Sequence, residues 1–175
     1  MFARLLAIVC LLCVSTSSGR AASLPRVETT LAVHLQANAA FSPEIRDQMK
    51  MELDSILEPA AIRIFWLDAQ ESRDFRSMRV ELKGSCGVPN HADGHAVLGA
   101  IPASALASTS VYKDSILPSS WVNCDTLNRL LLSSIALQPK WIRDYAYGRA
   151  MARVLAHEIY HILAQTQVHT STGVA

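Results

Sequence analysis

Ala156-His157-Glu158-Ile159-Tyr160-His161-Ile162-Leu163 stands near the C-terminus, inside a segment that starts at Pro139 and reads as one long helix to about Gln165. Side chains four positions apart leave a helix in the same direction, so His157 and His161 can aim two imidazoles at one metal ion, at about 2.1 Å each for zinc. Glu158 lies roughly 100° round from His157, where its carboxylate can reach a water on that metal without being a ligand. Met151, Leu155, Ile159, Ile162 and Leu163 share the opposite side. The helix therefore has an apolar back for a sheet and a polar front for a metal, the context in which an H-E-x-x-H spacing carries chemistry.

Catalytic zinc sites usually have three protein ligands and an open position, and after Glu158 the chain contains no Asp, Glu or Cys. His169 is the remaining downstream candidate. In a continued helix it would lie about 12 Å along the axis from His161, so the helix must stop near 165–167 and an extended segment must bring His169 back. The β-branched Thr166 and Val168, followed by Thr170-Ser171-Thr172-Gly173, suit such a stop. Of the other histidines, His91 and His95 flank Ala92-Asp93-Gly94 in a turn-rich stretch where helical i, i+4 geometry does not apply, and His34 falls on an expected strand.

Working toward the N-terminus, the pattern predicts strands before helices. Residues 27–36 (V-E-T-T-L-A-V-H-L-Q) alternate from Thr29 onward as a strand does. Ser42-Pro43-Glu44 supplies an N-cap, a proline in the first helical position and an early acid. Ile45, Met49, Leu53, Ile56 and Leu57 then recur at helical spacing. Residues 61–67 (A-I-R-I-F-W-L) are β-branched and aromatic, a second strand joined to the first by a right-handed crossover. Further strands are expected at 78–82, 96–101 and 110–112, a helix at 125–137, and the three tryptophans Trp66, Trp121 and Trp141 in the core. The fold class is α+β, a mixed twisted sheet with an early crossover helix and a long C-terminal helix bearing the motif.

The 175 residues are half hydrophobic, with 18% charged and only 7 Gly and 7 Pro, which excludes a disordered or collagen-like chain and suits one domain. Residues 1–23 hold Arg4, an apolar run over 5–14 and the small residues Ser15-Thr16-Ser17-Ser18-Gly19, the three-part pattern of a secretory signal peptide. Cleavage after Ala21 or Ser23 would leave an exported chain, secreted or periplasmic, with no stable membrane anchor. It would also remove two arginines and no acid, turning a formal charge of +1 into −1, so no charge excess points to nucleic acid. Cys10 and Cys13 would leave with the signal, and Cys86 and Cys124, in an oxidising compartment, are expected to pair.

The order strand, helix, strand, further strands, then a long helix carrying H-E-x-x-H resembles the zincin metallopeptidases, and a third histidine beyond the helix makes it most similar to their metzincin branch. The resemblance covers 24–175 in outline and 157–169 in motif. It implies a single zincin-like catalytic domain over 24–175, holding Zn2+ and hydrolysing a peptide or protein substrate that lies along an edge strand, with Glu158 as general base. Tyr112, Tyr145, Tyr147 and Tyr160 are its candidate oxyanion donors. Metzincins have a glycine three residues after the second histidine, a third histidine three residues later, and a methionine turn beneath the metal. Here Ala164 and Gln167 occupy those positions, His169 follows His161 by eight residues, no Met follows Met151, and six residues follow His169, which implies a truncated or minimal version. The alternative reading is a catalytically inactive, zinc-stabilised exported binding module of the same fold; a carboxylate beside the ligands favours the enzyme.

Overall fold

Leu31 and Val33 alternate along the first strand and are fully buried, and the layer they face is what carries the motif helix. The computed structural model describes residues 28–37, 42–67, 76–87 and 105–169. Its elements run β1 (Thr29–Ala37), α1 (Pro43–Leu57), a 3-10 turn (Glu58–Ala60), β2 (Ile62–Leu67), β3 (Arg76–Lys83), β4 (Ala107–Tyr112), β5 (Ser115–Asn123), α2 (Cys124–Ile135) and α3 (Lys140–Ala164). The five strands form one mixed sheet in the order β2-β1-β3-β5-β4. β1 pairs in parallel with both β2 and β3, β3 in parallel with β5, and β4 antiparallel with β5. The β1-α1-β2 unit is the crossover between parallel neighbours expected from the sequence.

α1 starts where the sequence says it should. The Ser42 hydroxyl accepts from the Ile45 N–H at 3.2 Å, and Pro43 takes a first-turn position whose N–H would have had no partner. Its buried face, Ile45, Met49, Leu53 and Leu57, packs with Met151, Leu155, Ile159 and Ile162 of α3 and with Met78, Val80 and Leu82 of β3 in one core. α1 and α3 approach closely at Gly148: a Cβ there would stand 2.7 Å from the Ile45 carbonyl oxygen. Glycine at that position is a packing requirement, despite its cost inside a helix.

Two expectations need correcting. β5 was not expected, because Ser115, Pro118, Ser119, Ser120 and Asn123 hide the strand pattern. Proline cannot donate to a ladder and is tolerated at bulges, and the β4–β5 register does shift between Thr109 and Val111, the stretch opposite Pro118. The hairpin closes through Lys113 and Asp114, both left-handed with φ 47° and 66°, as a two-residue type I′ turn requires. The second correction concerns Trp141, which is 71% exposed because the buried face of α3 begins only at Arg143. Trp66 and Trp121 are half-buried, under the ammonium groups of Lys50 and Lys83 at 5.0 and 4.9 Å. The strand expected at 110–112 is the end of β4; the one expected at 96–101 lies outside the described residues, as do residues 1–23.

Cys86 and Cys124 form a disulfide across 38 residues of sequence, tying the chain after β3 to the first residue of α2. Beside it the Ser85 N–H donates to Asp125 Oδ1 at 2.9 Å and Asn128 Nδ2 donates to the Ser85 carbonyl at 2.8 Å. Among the described residues no helix is long and apolar enough to cross a membrane.

Candidate metal centre

The departure of the chain from α3 decides the site. A helix end leaves carbonyls without partners unless the chain turns into the left-handed region, usually at glycine. Here Gln165 makes that turn with φ 51°, its N–H donating to the His161 carbonyl, and the Thr166 N–H donates to the same oxygen at 3.3 Å. The Gln165 side chain does what glycine could not, since its Nε2 donates to the Ile162 carbonyl at 2.7 Å. The left-handed residue therefore follows Ala164, the position where the metzincin pattern has its glycine. With the helix ended, the tail folds back along it.

That reversal brings His169 to the pair on α3. Its Nε2 lies 3.1 Å from Nε2 of His161 and 3.1 Å from Nε2 of His157, and the latter two are 2.9 Å apart. The His157 and His169 rings are parallel within 5°, and His161 stands at 88° to both. His161 Nδ1 lies 2.7 Å from the Thr166 carbonyl oxygen, an atom that can only accept. The ring proton therefore sits on Nδ1, and Nε2 presents a lone pair to two other ring nitrogens. At 2.9–3.1 Å two such nitrogens can share a proton, but with each one either donor or acceptor at least one of the three contacts is mismatched, and a cation among them removes the mismatch. Tetrahedral zinc with bonds of about 2.1 Å would place them about 3.4 Å apart, a few tenths of an ångström wider than observed. Small rotations of the half-buried His157 ring and the exposed His169 ring can supply that expansion. The donor set fits: three histidines, each offering one ligand atom, could hold a metal ion. A carbonyl behind one ligand is the usual device for holding a ligating ring in its tautomer.

Glu158 is not part of that group. It is 5% exposed, and its Oε2 accepts a hydrogen bond from Thr109 Oγ1 at 2.5 Å. Thr109 lies on β4, at the edge of the sheet, so the carboxylate is fixed between helix and edge strand. A cleft of about 200 Å3 opens there, lined by Ala107, Thr109, Val111 and Ile116 on the strand side and by Thr166 and Gln167 on the tail side, with Glu158, His161 and His169 on its wall. Sequence reasoning missed Thr109. A threonine on a half-buried strand carries no motif, and the signal that could have found it, the register shift beside Pro118, is visible only once β5 is known.

Comparisons of the chain with models of protein families, with curated proteins and with solved structures find no match. The chemistry thus rests on the geometry of the site.

The remaining candidates separate clearly. His34 is on β1, between Val33 and Leu35 and so on the sheet face away from α1 and α3; His91 and His95 lie outside the described residues. Tyr147 is fully buried and its hydroxyl donates to the Cys124 carbonyl at 3.3 Å. Burial pushes its phenol well above the ordinary range, the Asp125 carboxylate adding to the effect, so it stays protonated and structural. The Tyr145 hydroxyl accepts from Arg149, and twelve residues of helix put it about 18 Å from His157. Tyr160, half exposed, is the tyrosine beside the trio, its ring 5.7 Å from that of His161.

Proposed function

We propose that this chain is an exported zinc-dependent metallopeptidase with a zincin-like fold. The observation that carries the reading is the convergence of three Nε2 atoms within 3.1 Å of one another, beside a buried carboxylate that is not one of the group. Three imidazoles leave zinc a free coordination position, the arrangement of catalytic sites, whereas structural sites are closed by four protein ligands. Zinc held there would lower the pKa of a water toward about 7 and polarise a peptide carbonyl. Glu158 accepts the proton of the attacking water and returns it to the leaving amine nitrogen, acting as base and then as acid. His157, His161 and His169 would hold the ion, and the Thr166 carbonyl holds the His161 ring. The edge position of β4 beside the cleft supports an extended peptide as substrate, since an edge strand can pair with one through its main chain. Export is supported by the signal-like pattern of residues 1–23 and by the Cys86–Cys124 disulfide, which persists in oxidising compartments.

The binding-module alternative needs the trio but has no use for Glu158. That residue is buried, hydrogen-bonded and on the cleft wall, and this tilts the reading to the enzyme. Glu158→Gln decides the matter. The variant should keep zinc at the wild-type stoichiometry, about one per chain, and lose hydrolysis of a mixed peptide library. Loss of zinc would make Glu158 a ligand, and a zinc-loaded wild type that cleaves nothing in the library would leave the binding module.

A further inference from the structure

β4 does more than border the cleft. Thr109 Oγ1 reaches Oε2 of Glu158 at 2.5 Å, at the short end of hydroxyl–carboxylate distances, and stands 3.4 Å from the Glu158 carbonyl oxygen. Oε1 takes no hydrogen bond among the described residues. One carboxylate oxygen is therefore tied to the sheet and the other is left to the site. Thr109 can do this because of its place in the sheet. It pairs with Ser120, whereas Val111 pairs with Ile116, so β5 uses more residues than β4 across this step. The extra length contains Pro118, whose missing N–H the irregularity accommodates, and such bulges re-aim neighbouring side chains.

We infer that Thr109 is a positioning residue for the general base: its hydroxyl holds Oε2 of Glu158 so that Oε1 faces the attacking water. The inference rests on the peptidase reading of the site. The hydroxyl is not one of the groups that could hold the metal; it acts through Glu158. A carboxylate freed from it keeps its place in the sequence but not its aim, and misplacement of a reacting group by about 1 Å costs on the order of 100-fold in rate.

Zinc-loaded full chains carrying Thr109→Val, Thr109→Ser and Glu158→Gln test this with two independent readouts. The first is the infrared carboxylate band identified by subtracting the Glu158→Gln spectrum. It should shift in Thr109→Val, which keeps the shape and β-branching but removes the donor, and return in Thr109→Ser. The second is peptide hydrolysis. Thr109→Val should lower kcat by about 10- to 100-fold with KM changed less than about threefold, and Thr109→Ser should recover most of the loss. Zinc content should match wild type in both, and Thr109→Val should remain folded with a modestly lower Tm because a buried acceptor loses its donor. An unshifted band, or an unchanged kcat in Thr109→Val, overturns the positioning role while leaving the peptidase reading intact. A band that shifts as expected in Thr109→Val, while the zinc-loaded wild type shows no Glu158-dependent hydrolysis, overturns the peptidase reading and, with it, the catalytic meaning of the hydrogen bond.

Discussion

Gly148→Ala measures how tightly α3, and with it the histidine trio, is seated on α1. In an exposed helix interior this substitution stabilises by about 1 kcal/mol, because alanine is the better helix former. Here the added Cβ would meet the Ile45 carbonyl oxygen at 2.7 Å, Gln48 Cβ at 2.9 Å and the Met49 nitrogen at 3.1 Å. Two of these atoms are backbone, so no rotamer change relieves the clash and the helices must separate by some tenths of an ångström along a face that buries Ile45, Met49 and Met151. Overpacking of this kind costs about 1–3 kcal/mol and outweighs the propensity gain. The net loss of up to about 2 kcal/mol lowers Tm by up to roughly 8 °C in a chain of this size. Urea and thermal unfolding followed by far-UV circular dichroism, with the disulfide intact, reads this directly. Gly87→Ala is the control, because a Cβ there has nothing within 4 Å, and its effect should stay within about 0.5 kcal/mol. Zinc content should be unaffected, since residue 148 lies about 13 Å along the helix from His157. A Gly148→Ala protein about 1 kcal/mol more stable than wild type, the full gain of an unhindered site, would falsify the close approach of the two helices and the argument that glycine is there for packing.

His169→Ala should weaken zinc binding by orders of magnitude while leaving the circular dichroism of the fold unchanged, because the exposed tail residues 167–169 contribute nothing to the core; competition with a chromophoric chelator measures it. Reducing Cys86–Cys124 should cost about 4 kcal/mol, the loop entropy released by a bond that spans 38 residues, and thiol titration of the unreduced, denatured chain lacking residues 1–23 should find no free cysteine. Glu44, at the start of α1, has its carboxyl held below the ordinary value by backbone and Ser42 hydrogen bonds, with Lys140 adding attraction. A depressed carboxylate contributes stability above its unfolded pKa and loses it as pH falls through the folded one. The stability gap between wild type and Glu44→Gln should therefore be present at neutral pH and close in acid; a gap that widens on acidification would reverse the sign.

The legible parts of this protein are those whose geometry is local. His157, Glu158 and His161 fall within little more than one helical turn, so their relative directions follow from 3.6 residues per turn and need no knowledge of the rest of the chain. Ser42-Pro43 and the apolar period after it place α1 in the same way, and the β1-α1-β2 crossover follows from the spacing of its parts. His169 is an intermediate case. Its return was required by the absence of any other downstream ligand, but the residue that allows it, Gln165 in a left-handed turn, has no sequence signature, because its side chain offsets by a hydrogen bond what glycine would have given by lacking a Cβ.

Other features depend on partners distant in sequence. β5 looks like a loop until β3 and β4 are placed on either side of it, since its polar residues and Pro118 contradict strand propensity and only the ladder and the core behind Val122 hold it extended. Thr109 meets Glu158 across 49 residues of sequence, through a strand register that no local pattern encodes. Trp141 has a core-type side chain but sits where α3 has not yet reached the sheet. Local rules determine which way a side chain leaves its own element. What it meets there is decided by packing, because contact free energy depends on the opposing surface, and only the folded chain supplies one.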